Sequence, residues 1–469
     1  MKKPEILLIN PKLKDARNFW LPLGLAYIAS YLEKHSFEVK IVDANALGIE
    51  DKEVVNSIEE TPDIVGITAL TPYIYSAWTI AKNIKQKFPN TLIVLGGHHP
   101  SVLPEESLEN KFIDIVVIGE GEETMKEIAT WRRDGYPKNL SEIRGIAYKN
   151  QGKIKSTERR PLIENIDDLP FPARHLFPFP KKYTPSAYRK LPVAAIFTSR
   201  GCPYRCTFCH FDLFGKRFRA RTPENVVSEI EYLKKHYDIK EFHIGDDNFC
   251  LDVERAIKIC DLLIERKINL PWACVGGIRV DTIAKHPEII EKMAQAGFYR
   301  TSVGIESGNQ QILDNIQKGI TLEQADKAVR ILKKNKIFVG GYFIIGNYGE
   351  NKKTVEDTIR FAKYLPLDYA QIMIATPYPG SGFYEQLKEN GKLLTNDWRD
   401  FNLFTGAVFE WNNLSKTEID RLYRRAYFKY YFSPSFFLKN ILKFKLSNWK
   451  IYLNGALIVF KSLMRQKTI

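Results

Sequence analysis

Three cysteines stand in the stretch TSRGCPYRCTFCHF, at Cys202, Cys206 and Cys209, and no fourth follows nearby. Thiolates are soft ligands suited to zinc or to iron–sulfur centres. The spacing C-x3-C-x2-C brings three of them within reach of one centre on a single loop. A structural zinc site needs four ligands, so His210 would have to complete a Cys3His shell. A 4Fe–4S cluster held by three cysteines instead leaves one iron without a protein ligand, open to a substrate. The other cysteines read differently. Cys260 shares a helical face with Val253, Ile257 and Ile264, and Cys250, Cys260 and Cys274 are expected in the core as small apolar residues.

Elements that could position this loop surround it on both sides. From Pro192 onward, apolar runs VAAIFTS, EFHIG, PWACV, RTSVGI, FVGGYFII and YAQIMIA alternate with helical periods. Helix starts are marked by Thr222-Pro223 and by the capping box Thr321–Gln324. Six strand–helix units are fewer than the eight of a full barrel, which predicts a partial, open one. Polar clusters follow every strand: the three cysteines, then Asp246-Asp247-Asn248-Phe249, Arg279, Glu306-Ser307-Gly308, Gly346 to Glu350, and Pro377 to Gly380. All lie at strand carboxyl ends, the face on which barrel enzymes do chemistry. Zinc loops usually come as paired knuckles with a distant second pair, not at the mouth of a barrel.

The first half of the chain also alternates. EILLIN, EVKIVDA, DIVGITAL, TLIVLGG and DIVVIGE read as buried parallel strands of a doubly wound α/β domain over residues 1–134. Its first loop, NPKLKD, has neither GxGxxG nor GK[ST], which disfavours a dinucleotide or P-loop role. Its later strands end in Gly96-Gly97-His98-His99 and Gly119-Glu120-Gly121-Glu122. Pro161, Pro170, Pro172, Pro178, Pro180 and Pro185, with many aromatics, mark residues 135–191 as an irregular linker. The barrel is expected over 192–400 and a helical region over 401–469.

The composition is that of a globular protein, with 44% hydrophobic and 26% charged residues. The N-terminal apolar run is too short for a signal peptide, and no run approaches the length that spans a bilayer. Few cysteines and no export signal place the chain in reducing cytosol. Of the net charge of +14, eleven positive residues lie from Arg421 onward, with no acid among them. That region interleaves lysines with Phe, Tyr, Trp and Leu after a capping box at Ser415–Glu418. Two readings stand: basic amphipathic helices on an anionic membrane surface, or helices packed on the barrel with lysines in solvent. Nucleic acid is disfavoured, because no RNA-binding module accompanies the tail.

TSRGCPYRCTFC resembles the CxxxCxxC loop of the radical S-adenosylmethionine (SAM) superfamily. The likeness continues through DDNF, GIESGN and TPYPGSGFYEQL, and PLGLAYIASYLE, IVDAN, LGGHHPS and IVVIGEGEET occur in the order of its cobalamin-binding branch. It covers roughly residues 4–395. The resemblance implies that Cys202, Cys206 and Cys209 ligate three irons of a 4Fe–4S cluster and that SAM chelates the fourth. It places Phe208 near the adenine, Asp246 and Asp247 near the methionine amino group, and Glu306 near the ribose. Gly96 and Gly97 would let cobalamin approach, with Gly119 and Glu120 as further cofactor-binding candidates; alternatively, the fold persists without that cofactor. No D-x-H-x-x-G signature is present, so a histidine ligand to cobalt is not implied, and His98 and His99 read as packing or loop residues. The strand-five turn departs from the common Gly-Leu-Pro-Gly-Glu at Asn347-Tyr348, which puts a SAM contact by Glu350 in doubt.

The implied chemistry is reductive cleavage of SAM to a 5′-deoxyadenosyl radical, fed by an electron donor such as flavodoxin or ferredoxin. Methylcobalamin then donates a methyl group to an unactivated carbon. Some branch members cyclise or rearrange substrates instead. No cysteine follows Cys274 or precedes Cys202, which speaks against enzymes with a second cluster. The aromatic linker and tail suggest a small apolar substrate, a lipid or isoprenoid. The non-enzymatic alternative is a zinc-stabilised protein that docks on membrane or RNA.

Overall fold

The computed structural model describes residues 5–12, 20–135, 139–211, 213–404, 406–434 and 436. Two sheets dominate it, one mixed and one wholly parallel. The first contains β1 (Glu5–Asn10), β2 (Glu38–Asp43), β3 (Ile64–Thr68), β4 (Leu92–Gly96), β5 (Ile115–Val117), β6 (Ile146–Asn150) and β7 (Lys153–Ser156). Their spatial order is β2-β1-β3-β4-β5-β6-β7. The order reverses at β1, whose two neighbours are both parallel to it, as a doubly wound fold requires. β1 and β3 are apolar almost throughout because helices cover both faces. The doubly wound expectation for this half therefore holds.

The proline-rich segment is more ordered than its composition suggests. Residues 146–156 form an antiparallel hairpin, β6–β7, that extends the first sheet from β5. The apolar stretch Ile146-Ala147-Tyr148 buries against that sheet, a tertiary preference that the surrounding prolines hide. Further on, Tyr183 donates a hydrogen bond to Asp43 at 2.7 Å, which ties the linker to the end of β2.

The second sheet comprises β8 (Val193–Ile196), β11 (Glu241–Ile244), β12 (Trp272–Ile278), β13 (Phe298–Glu306), β14 (Phe338–Ile345) and β15 (Tyr369–Ile374). Every neighbouring pair is parallel and the strands follow chain order, giving a six-stranded partial barrel. Two short strands, β9 (Ser199–Arg200) and β10 (Arg219–Ala220), pair antiparallel at the base of the cysteine loop. The caps read from sequence form as expected: Thr222 accepts from the Asn225 amide, and Thr321 and Gln324 close a reciprocal box.

Beyond the barrel, β16 (Gly391–Leu393) pairs with β17 (Phe409–Trp411), and a helix runs from Lys416 to Tyr431. That helix buries Ile419, Leu422, Tyr423, Ala426 and Tyr430. Tyr431 donates to the Ala370 carbonyl of edge strand β15 at 2.6 Å, and Arg425 and Lys429 pair with Glu356. An exposed sheet edge invites unwanted pairing, and this helix covers it. The basic aromatic stretch from 437 onward lies outside the described residues. Among those described, no helix is long and apolar enough to cross a membrane.

Candidate active site

The cysteine loop is fixed from several sides. Gly201 precedes Cys202 with φ +80°, and a Cβ there would stand 2.4 Å from the Arg217 carbonyl, so only glycine fits the turn. The Thr207 amide donates to Ile316, and the Thr207 carbonyl accepts from Phe383 at 2.7 Å. The segment TPYPGSGF thus packs against the loop through Gly382 and Phe383. Tyr204, between the first two cysteines, lies under the Arg279 guanidinium at 3.4 Å. Arg279 is itself held by Asp281 and by the Lys318 carbonyl.

All three cysteines are free thiols, with Cys206 buried. The Cys209 thiol hydrogen-bonds to Cys206, and with Lys318 and Arg279 it lowers the Cys206 pKa to about 6 against the opposing effect of burial. The same bond pushes Cys209 upward, since the pair shares a proton. A depressed thiol pKa favours the thiolate, the form that binds metals. Among the described residues, no three Cys, His, Asp or Glu side chains gather closely enough to hold a single metal ion. A 4Fe–4S cluster takes one thiolate per iron, so its cysteines need not converge on one point. The donor set therefore fits a cluster.

Around the loop, the predicted acids take different positions. Asp246 is buried and accepts hydrogen bonds from the Thr198 amide and hydroxyl and from the Ser199 hydroxyl. It clamps the end of β8 and so steadies the cysteine loop. Asp247 is accessible, yet desolvation and Asp246 raise its pKa, and the Gly201 amide bonds to it. Beside it, both amide atoms of Asn248 and the Thr207 hydroxyl are buried without partners, available to a polar ligand.

Glu306 is a non-glycine residue at φ +67°, a conformation that stores strain and tends to mark functional sites. It accepts from Lys318 at 2.7 Å, and the Lys318 ammonium stands 5.6 Å from the Phe208 ring. Phe208, Glu306 and Lys318 thus form one group beside Cys206. Lys318 went unrecognised from sequence, because nothing in Gln317-Lys318-Gly319 distinguishes a lysine that folds inward. Glu350 is fully buried and binds its own turn through the Gly346 and Asn347 amides. Burial pushes its pKa up to about 8.

The other half of the site comes from the first domain. His98, at the end of β4, packs its ring 5.8 Å from His210, the residue after Cys209. Its ring is accessible, and desolvation together with His210 lowers its pKa to about 4. Gly119 faces the Leu213 carbonyl of the cysteine loop. At Gly96 an added Cβ would meet nothing closer than 3.8 Å, which leaves room for a group against β4. Gly97 is different: at φ +103° its Cβ would stand 2.8 Å from the Ala69 carbonyl, so the neighbouring chain requires it. Glu120 is taken up by Arg200 at 2.7 Å and Arg219 at 2.8 Å, while Glu122 also pairs with Arg200. These ion pairs are buried and join the two domains. His99 packs on Trp398, whose indole donates to Glu106.

A barrel with three cysteines at its mouth, facing the strand ends of a doubly wound domain, is the architecture of a cobalamin-binding radical SAM protein. Residues 196–362 match the radical SAM superfamily and residues 13–129 match the B12 binding domain. An uncharacterized methyltransferase of Pyrococcus horikoshii is 38% identical, covering 94% of this chain and 96% of that protein. The anaerobic magnesium-protoporphyrin IX monomethyl ester cyclase of Rubrivivax gelatinosus is 32% identical, covering 85% and 72%. Among solved structures, the cobalamin-dependent SAM radical enzyme OxsB, with aqua-cobalamin and SAM bound, superposes with a TM-score of 0.78. Identity there is 20%, with 98% of this chain and 71% of that one covered, a likeness of fold. The chain belongs to the cobalamin-dependent radical SAM enzymes, whose cofactors are a 4Fe–4S cluster, SAM and cobalamin.

Proposed function

We propose that the protein transfers a methyl group to an unactivated carbon of a small molecule. The approach of the His98 loop to the cysteine loop carries this reading, because it sets the two cofactor-bearing strand ends across one cleft. The 38% identical relative described as a methyltransferase supports it. When bound, the cluster and SAM supply hydrogen abstraction, and cobalamin supplies the methyl group.

Cys202, Cys206 and Cys209 would hold the cluster, and the depressed pKa of Cys206 readies it as a thiolate. Asp247 would receive the SAM ammonium, a role supported by the engagement of Asp246 with Thr198 and Ser199. Lys318 neutralises Glu306 and holds it beside Phe208, where a ribose and adenine would lie. The buried Arg200–Glu120 and Arg200–Glu122 pairs fix the distance between the domains and help keep water out of the cleft. An electron donor of the flavodoxin or ferredoxin class would reduce the cluster, and cytosol is the compartment in which such donors work.

Cyclisation or rearrangement with the same cofactors is the second reading, favoured by the 32% identical cyclase. Anaerobic reconstitution with iron, sulfide and cobalamin, followed by SAM and reductant, separates the two. Methyl transfer predicts both 5′-deoxyadenosine and S-adenosylhomocysteine. Deoxyadenosine without S-adenosylhomocysteine would favour the cyclase reading.

A further inference from the structure

On β13 the residues Arg300, Ser302 and Gly304 alternate onto one face of the strand; past the register irregularity after Gly304, the Glu306 carboxylate lies on that same side, where a Cβ on Gly304 would meet it at 2.5 Å. That face is the inner one. Ser302 hydrogen-bonds to Tyr369 of β15 at 2.7 Å, across Gly340 of β14, where a Cβ would strike the Tyr369 ring. Glu306, on the same face, reaches Lys318 at the mouth. Arg300 is half-buried, and its charge acts on His243 of β11, on Tyr299 and on Tyr342 of β14. Among the described residues it makes no hydrogen bond and no ion pair. The carboxylate in the same layer, Glu241, already receives bonds from His243, Tyr299 and the amides of Arg189 and Lys190. Glu306, the other inward acid of this region, pairs with Lys318. The guanidinium donors are thus left to a ligand.

An arginine turned inward on the barrel face, with no acid among the described residues to pair it, has donors that an anionic group would satisfy well. Its planar fork matches carboxylate and phosphate oxygens two at a time. Gln371, opposite Tyr342 on the adjacent strand, adds an amide that is likewise without a partner among the described residues. Arg300 and Gly304, beside which the Glu306 carboxylate sits, are four residues apart in regular strand, about 13 Å at its ordinary rise.

We propose that Arg300 is a specificity residue, and that the substrate is an elongated molecule carrying a carboxylate or phosphate at the end remote from the reacting carbon. The proposal rests on the barrel binding a small molecule as its substrate. The apolar body expected from sequence is retained, with one charged end added.

The test uses the full chain with its cluster reconstituted and three probes sharing a ten-carbon chain: decanoate, decyl phosphate and decanol. Calorimetry should show at least one anionic probe binding tenfold or more tighter than decanol. R300Q should remove that preference while leaving decanol binding, cluster absorbance and melting temperature unchanged. R300K, which keeps the charge but not the fork, should fall between. The two anions distinguish a carboxylate end from a phosphate end. Equal binding of all three probes to the wild type, or no binding of either anion, overturns the proposal without any variant having to fold. Formation of S-adenosylhomocysteine, measured separately, reports on methyl transfer and does not depend on Arg300 recognising these probes.

Discussion

The two α/β halves of this protein are built alike and use their strand ends differently. In the barrel, the carboxyl ends present thiols, an accessible carboxylate and a strained glutamate to one another across the mouth. In the first domain, the corresponding ends present glycines, two histidines and acids that are spent on the barrel's arginines. On the proposed reading, one half would hold its cofactors by specific bonds to side chains. The other would offer shape and a fixed distance. This difference explains why substitutions in the two halves should fail in different ways.

The largest effect is expected at the cysteines. Cys206→Ala should abolish the broad absorbance near ~400 nm of the reconstituted protein and all 5′-deoxyadenosine formation, while the fold survives. Retained deoxyadenosine would break the contrast, because the barrel would then not depend on its side-chain ligands. Next comes the seam between the halves. Glu120→Gln leaves Arg200 and Arg219 buried with reduced compensation, and loss of one partner of a buried pair costs about 3–5 kcal/mol. Urea unfolding measures it directly, and an unchanged midpoint would show that the domains do not rely on this seam. The smallest effect sharpens the reading of the glycines. Gly97→Ala should cost roughly 1–3 kcal/mol through its left-handed backbone and the Ala69 carbonyl. Gly96→Ala should leave stability within about 0.5 kcal/mol of wild type and weaken cobalamin uptake instead, read by the absorbance of bound cobalamin.

The contrast also governs what the sequence made legible. The three cysteines, the six barrel strands and the doubly wound half could be read because ligand spacing and apolar periodicity are local signals. Asp246 and Asp247 are adjacent in sequence, and only the fold tells which one is consumed by Thr198 and Ser199. Lys318 and Arg300 escaped notice for the same reason: a basic residue in a single sequence does not disclose whether it turns inward. The β6–β7 hairpin was hidden by the prolines that follow it, since its strands exist only because β5 offers them an edge. Glu120 reads from sequence as a cofactor-binding candidate, and the arginines that engage it, 80 and 99 residues away, leave no local signal.

The central claim is that the two halves bring their cofactors to one shared cleft. Electron paramagnetic resonance on the enzyme loaded with both, with the cluster reduced and cobalamin in its cob(II)alamin state, tests it most directly. The structure predicts that each signal is broadened or split by the other, and that Glu120→Gln weakens this coupling. Two unperturbed signals, identical to those of samples holding one cofactor each, would contradict the account.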